Sequence, residues 1–198
     1  MDLRRISDPL TPAQKLEVVT LEKAKAHLRV RHTDEDTLIT DWIVAAFDFL
    51  HGPSGWLNGY CLLAEQFECF LGCIQATAEL PLRPVADEAA VVIARLADGA
   101  YAASPAGTFV VATQDDFTVI ARLASDGVGV IDPRAYRVTF SAGHEDAAAV
   151  PMLLKQAILL LVGHWYLNRE VTARTTSREI EYGLKALAGR YRVSPDHS

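Results

Sequence analysis

The residues able to do chemistry are few here, and each sits in a setting with a plainer explanation. Ser54 lies in Gly52-Pro53-Ser54-Gly55. A hydrolase nucleophile elbow needs serine between two glycines, each one residue removed, on a strand-to-helix turn. Here a helical pattern ends instead, so the four residues read as a turn. Asp34, Glu35 and Asp36, with His27 and His32 upstream, have the residue types of a metal or acid–base site. Acids in a first helical turn are also favoured by the helix dipole, by about 0.3–1 kcal/mol each, and the run reads as a helix start. Cys69 and Cys73 are four apart with no second pair, unlike zinc-ligand spacings. On a strand they would share one face as small core residues. Gly127 and Gly129 lack the third glycine and following helix of a dinucleotide loop. His164 falls inside an apolar helical pattern, where it reads as a hydrogen-bonded packing residue. No catalytic, cofactor-binding or metal-binding residue is assigned.

The surroundings agree with a folded, non-enzymatic chain. Of 198 residues, 50% are apolar and 22% charged, the mix of a globular protein with a real core. The net charge of −6 argues against general phosphate binding by the whole surface. Residues 1–17 are polar, with Pro9 and Pro12, and lack the apolar core of a signal peptide. The most apolar segment, 152–167, is interrupted by Lys155, Gln156 and His164 and is too short for a bilayer. The expectation is a soluble, unexported protein with reduced thiols, Cys61, Cys69 and Cys73 being odd in number.

The elements that would hold these residues follow from periodicity. Leu21, Ala24 and Leu28 mark a helix over 20–30. A second, over 33–51, carries the stripe Leu38, Trp42, Ala45, Phe49, with Thr33 as its expected N-cap and Asp36 three residues on. The period then changes to that of strands at 66–74, 91–96, 108–113, 117–123 and 136–141, with an extended segment at 80–84. Turn chemistry separates them at Asp98-Gly99, Asp115-Asp116 and Asp126-Gly127. In 136–141, Tyr136, Val138 and Phe140 share one face and Arg137, Thr139 and Ser141 the other. A long helix over 151–169 opens at Pro151 and is apolar almost all round. Leu154, Ile158, Leu161 and Trp165 are expected among its most buried residues. A Thr-rich stretch over 172–177 leads to a short helix with a Thr176/Glu179 capping box and the stripe Ile180, Leu184, Leu187, Tyr191. The fold class expected is α+β: a helical bundle around a central apolar helix, with an inserted small antiparallel β unit.

Certain strings stand out in order: Leu21-Glu22-Lys23-Ala24-Lys25-Ala26-His27-Leu28-Arg29-Val30, then Asp34-Glu35-Asp36 and Leu38-Ile39. Leu80-Pro81-Leu82-Arg83-Pro84-Val85 follows, and then Val138-Thr139-Phe140-Ser141-Ala142-Gly143 and Val150-Pro151. Leu154-Lys155-Gln156-Ala157-Ile158-Leu159-Leu160-Leu161-Val162 runs on into His164-Trp165-Tyr166-Leu167-Asn168-Arg169-Glu170. Gly183-Leu184-Lys185-Ala186-Leu187 and Tyr191-Arg192-Val193 come last. Together they resemble the head–tail connector (adaptor) family of long-tailed phages, prophages and gene transfer agents. The likeness runs from about Thr20 to Val193, with its motifs at the two ends.

That resemblance implies a ring, commonly a dodecamer, between the portal protein and the next neck or stopper protein. DNA would pass through the lumen without sequence-specific binding, and no membrane is involved. The particle would be assembled in the bacterial cytoplasm, with this chain at the head–tail junction of the virion. It divides the chain into a flexible N-terminal arm over 1–19, a connector body over 20–169 with a β insertion at about 66–142, and a linker, short helix and tail over 170–198. Charge adds one expectation: residues 169–198 carry two excess positive charges, against eight excess negative ones over 1–168. A basic end on an acidic body suits docking onto an acidic protein surface. Arg174, Arg178, Ile180, Leu184, Leu187, Tyr191 and Arg192 are the residues expected to meet the portal. The alternative reading is a small oligomeric binding or regulatory module with no particle role, its long apolar helix a dimer seam.

Overall fold

The computed structural model describes residues 2–72, 74, 76–114, 117–123, 133–169 and 176–193, with backbone alone at 114 and 176–179. The readings on Cys73, Asp115-Asp116, Asp126-Gly127, Gly129, Arg174 and the Thr176/Glu179 capping box lie outside it. The fold is mixed α and β, with five α-helices and two antiparallel sheets among the described residues. It divides into two units, one made of residues 1–9 and 64–143, the other of 10–63 and 144–198.

The first unit holds every described strand. β1 (Asp2–Arg5), β2 (Glu65–Leu71), β8 (Tyr136–Ala142), β4 (Val92–Ala97) and β5 (Ala100–Ala103) form one sheet in that order. β3 (Thr77–Glu79), β7 (Phe117–Arg122) and β6 (Phe109–Gln114) form the other. In β8 the expected alternation is seen: Tyr136, Val138, Phe140 and Ala142 are buried, and Arg137, Thr139 and Ser141 are only partly covered. Register sets Phe140 opposite Phe67 and Val138 opposite Cys69, so Cys69 is a core residue. Asp98 and Gly99 both take positive φ (49° and 81°) and close the β4–β5 hairpin in two residues, as such a tight turn demands. Leu80 and Leu82 are buried, and Arg83 lies over the Phe117 ring with its guanidinium 2.8 Å from Glu79.

The second unit is helical: α1 (Pro12–Val18), α2 (Leu21–Leu28), α3 (Asp36–Leu50), α4 (Met152–Leu167) and α5 (Thr176–Ala188), with a 3-10 turn at Gly189–Tyr191. α4 packs against α2, α3 and α5. Leu154, Ala157, Ile158, Leu161 and Val162 join Ile39, Ile43, Phe47 and Leu50 of α3 in one core. No described helix is long and apolar enough to cross a membrane.

Four expectations need correction. Where a flexible arm was expected over 1–19, the described residues carry β1 and α1. β1 pairs with β2, and α1 starts at a Thr11/Gln14 capping box with Pro12 in its first turn. Val18 and Val19 are buried behind it, and Lys15 reaches Asp48 at 2.6 Å. Thr33 does not cap α3: Glu35 holds the N-cap position without a side-chain capping bond, and Thr33 offers only its carbonyl to Asp36. The long helix is shorter than 151–169, because Pro151 stands at the cap and Asn168 already leaves helical geometry. Trp165 is half-buried, since its turn of α4 lies past the fully covered stretch; Met152 and Leu167 at the two ends are exposed.

Candidate functional site

The C-terminal end of α4 is where the most specific sequence string acquires geometry. Tyr166 donates its hydroxyl to one Glu35 carboxylate oxygen at 2.8 Å, and the Arg169 guanidinium meets the other at 2.5 Å. Arg169 also stands over the Tyr166 ring at 4.8 Å and the Trp42 ring at 5.7 Å. Trp42 and Tyr166 meet edge to face at 5.9 Å. A carboxylate with two charge-assisted or hydroxyl donors is a strong tie. The Arg169 and Tyr166 hydrogen bonds hold Glu35 below the usual carboxylate range, while Glu35 in turn raises Tyr166 and Arg169. Asn168 Nδ2 donates to the His164 carbonyl at 3.0 Å and lies 3.1 Å from His164 Nδ1. The string His164–Arg169 therefore ends α4 and clasps it to the start of α3.

The acidic run is thereby divided among structural tasks. Asp36 pairs with Lys25, Glu35 with Arg169 and Tyr166, and Asp34 is solvated with His32 at 3.9 Å. Among the described residues no group of three or more His, Cys, Asp or Glu converges as metal ligands would. Ser54 lies in the turn after α3, where a Cβ on Gly55 would come 2.4 Å from the His51 carbonyl oxygen, so only glycine fits. His51 accepts from the Leu62 amide through Nδ1 at 2.9 Å. Sequence reasoning missed Glu35, Trp42, Tyr166 and Arg169 as a group. The available signal was an acid at a cap position beside a Tyr/Arg pair at i, i+3.

Of the residues expected to meet the portal, Ile180, Leu184, Leu187 and Tyr191 are placed on this unit's own core. Leu184 is buried, with Ala188, while Ile180, Leu187 and Tyr191 are half-buried against the same cluster. α5 approaches α4 closely: a Cβ on Gly183 would stand 2.9 Å from Leu160 Cδ2. Beyond α5, Tyr191 meets Tyr60 edge-on at 5.4 Å, and exposed Arg192 covers the Trp56 ring at 5.0 Å. The Val193 amide donates to the Leu57 carbonyl at 2.9 Å, and Asn58 donates back to the Val193 carbonyl at 3.0 Å. Leu184 thus faces its own chain and not a partner's groove, because the amphipathic stripe of α5 has an intramolecular seat. Arg178 has only its backbone described.

No protein-family model and no curated protein matches the chain. Solved structures do. A chain of the virion of a native gene transfer agent (GTA) particle is similar at 21% identity and a TM-score of 0.70, covering 98% of this chain and 96% of that one. A chain in the neck of an empty GTA particle, computed with C6 symmetry, gives 22% identity and a TM-score of 0.71 over 100% of both chains. A chain in the neck of a native GTA particle, computed with C12 symmetry, gives 19% and 0.68, again over 100% of both. At these identities the likeness is one of fold, and it extends over both units.

Proposed function

We propose that this chain is a structural head–tail connector subunit, forming a ring between the portal and the tail or neck of a phage-like particle and leaving a channel for DNA. The observation that carries the reading is the whole-chain likeness to chains from GTA necks, one of them in an assembly with C12 symmetry. The reading is non-enzymatic: the candidate reactive groups Ser54, Asp36 and His164 all sit in turn, ion-pair or packing roles. A net charge of −6 per copy suits a channel whose wall repels phosphate, so that DNA slides without being read. A ring of twelve, as in the C12 neck, is the copy number proposed.

The portal contact is proposed for the segment over 170–193, with Arg174, Arg178 and Arg192 meeting acidic groups and Ile180, Leu187 and Tyr191 at the edge of the contact. Leu184 holds α5 on the body. The test is native mass spectrometry and electron microscopy of the purified chain, alone and mixed with a portal protein from the same source. Rings alone or on portals are expected. A stable dimer that never forms rings, even with portal present, refutes the reading in favour of a small binding module. Within the ring reading, Arg178→Glu with Arg192→Glu should abolish co-purification with the portal while the rings persist; unchanged co-purification removes the C-terminal segment from that contact.

A further inference from the structure

A closed ring of identical chains needs two unlike surfaces on each copy, one complementary to the other. The described residues offer such a pair, one on each unit. The first is the outer face of the five-stranded sheet. Register puts Asp2, Phe70, Arg137 and Ala94 in one row across β1, β2, β8 and β4, and Tyr101 of β5 shares that face. Phe70 and Tyr101 lie 6.0 Å apart. Arg134 stands over Phe70 at 4.9 Å and Arg137 over Tyr101 at 4.8 Å. Arg134 also pairs with Asp2, and its carbonyl accepts from the Tyr101 hydroxyl at 2.7 Å. Arg137 makes no ion pair with any described residue, and its buried Nε has no hydrogen-bond partner. With Nε covered, the donors left to receive a carboxylate are the terminal Nη groups of the guanidinium stacked on Tyr101. Beside it is an open cleft of about 600 Å³ lined by Asp2, Phe70, Leu71, Gly72, Pro133 and Arg134.

The second surface is the exposed stripe of α3: Leu38, Asp41, Ala45 and Phe49, at i, i+3, i+7 and i+11. Leu38 and Phe49 are 37% and 42% exposed, unusual for large apolar side chains on a helix whose other face is core. The neighbouring acids are taken, Asp36 by Lys25 and Asp48 by Lys15. Asp41 is exposed and has no ionic partner among the described residues. An unpaired carboxylate between apolar side chains is the complement of an unpaired arginine among aromatic ones.

We propose that neighbouring copies of this chain join through these two surfaces, the sheet face of one subunit receiving the α3 stripe of the next, with Asp41 on Arg137 and an apolar side chain of the stripe in the cleft. The proposal rests on the ring reading and names its subunit contact. The test uses the full chain with Arg137→Glu, Asp41→Arg and the double reversal, read by mass photometry and electron microscopy. Each single reversal should weaken subunit association by roughly tenfold or more, leaving monomers where the unaltered chain forms rings. The double reversal, which restores opposite charges across the contact, should recover rings. If Arg137→Glu does not fold, Asp41→Arg alone decides, since its position is on an exposed helix face. Rings that survive Asp41→Arg overturn the proposal, as do rings lost in Arg137→Glu and not recovered in the double variant. Retention of a duplex DNA oligonucleotide that depends on Arg137 while rings persist would make the sheet face a DNA contact and overturn it too. An unaltered chain that forms no ring, alone or on portals, refutes the ring reading itself and the contact with it.

Discussion

Leu161→Ala tests whether α4 carries the stability of its unit. Leu161 is 3% exposed and sits in the cluster that also holds Ile43, Phe47, Leu154 and Ile158. Truncation removes roughly three buried carbons, about 2.4 kcal/mol at ~0.8 kcal/mol for each. The unrelaxed cavity adds to this, bringing the expected loss to about 2–5 kcal/mol. The three tryptophans, Trp42, Trp56 and Trp165, all belong to the helical unit, so urea unfolding followed by tryptophan fluorescence reports that unit alone. With a slope of about 2 kcal/mol per molar urea, a 3 kcal/mol loss moves the midpoint down by roughly 1.5 M. Leu153→Ala on the same helix is the control: Leu153 is 37% exposed and should cost about 1 kcal/mol or less. A loss below about 0.5 kcal/mol at Leu161, or equal losses at both positions, would mean that α4 is peripheral and that the packing argument is wrong.

Three other outcomes follow from buried or clasped groups. Glu35→Gln should lower the urea midpoint by more at pH 7 than at pH 3. The Glu35 carboxyl is held below its ordinary 4.5, so its stabilisation is full above that value and lost as pH falls through the native one; an equal deficit at both pH values refutes the clasp. Lys155 is buried with its amine on the Ala148 carbonyl at 3.2 Å, and burial lowers its pKa. Between the lowered native value and the ordinary 10.5 the unfolded chain holds a proton that the native chain lacks, so stability should rise with pH there, and Lys155→Met should abolish that rise in urea titrations. Cys69 is buried, which pushes its thiol up to about 12, and Cys61 is buried as well. Both should resist a thiol-labelling reagent at pH 7.5 until urea unfolds the chain, as peptide mass mapping would show.

The parts of the fold that were legible are those fixed by short-range pattern. The 136–141 alternation became β8 with its faces as read, and Asp98-Gly99 became a two-residue hairpin because both positions must take positive φ. The N-terminal residues were misread for an instructive reason. Asp2–Arg5 has only Leu3 as an apolar residue, and what makes it a strand is β2, some sixty residues away, with Arg5 on Glu65 and Arg4 on Glu68. Thr11-Pro12-Ala13-Gln14 ahead of Leu16, Val18 and Val19 did carry a legible capping box, masked by the weight given to two nearby prolines. Strands of three or four residues such as β3 and β5 carry too few positions for period two to declare itself.

The recognisable string at the end of α4 shows why a motif can be read without its reason being known. Its tryptophan, tyrosine and arginine looked like a signature, and the acids at 34–36 looked like dipole partners of α3. Only Asp36 is in the first turn of that helix; Glu35, one residue earlier, gave up the capping role to bind Tyr166 and Arg169 over a separation of more than 130 residues. A cap satisfies a helix from within its own segment, whereas this carboxylate ties the start of α3 to the place where α4 ends. The tie fixes the point from which the chain continues toward α5, whose stripe then finds its seat on α4 through Leu184 and the close approach at Gly183. Aromatic, basic and acidic residues at that end are therefore bound up in holding the body together. Among the described residues, exposed Asp41 with Leu38 and Phe49 on one unit, and half-buried Arg137 with its unpartnered Nε on the other, are the groups that the proposed assembly of copies would use.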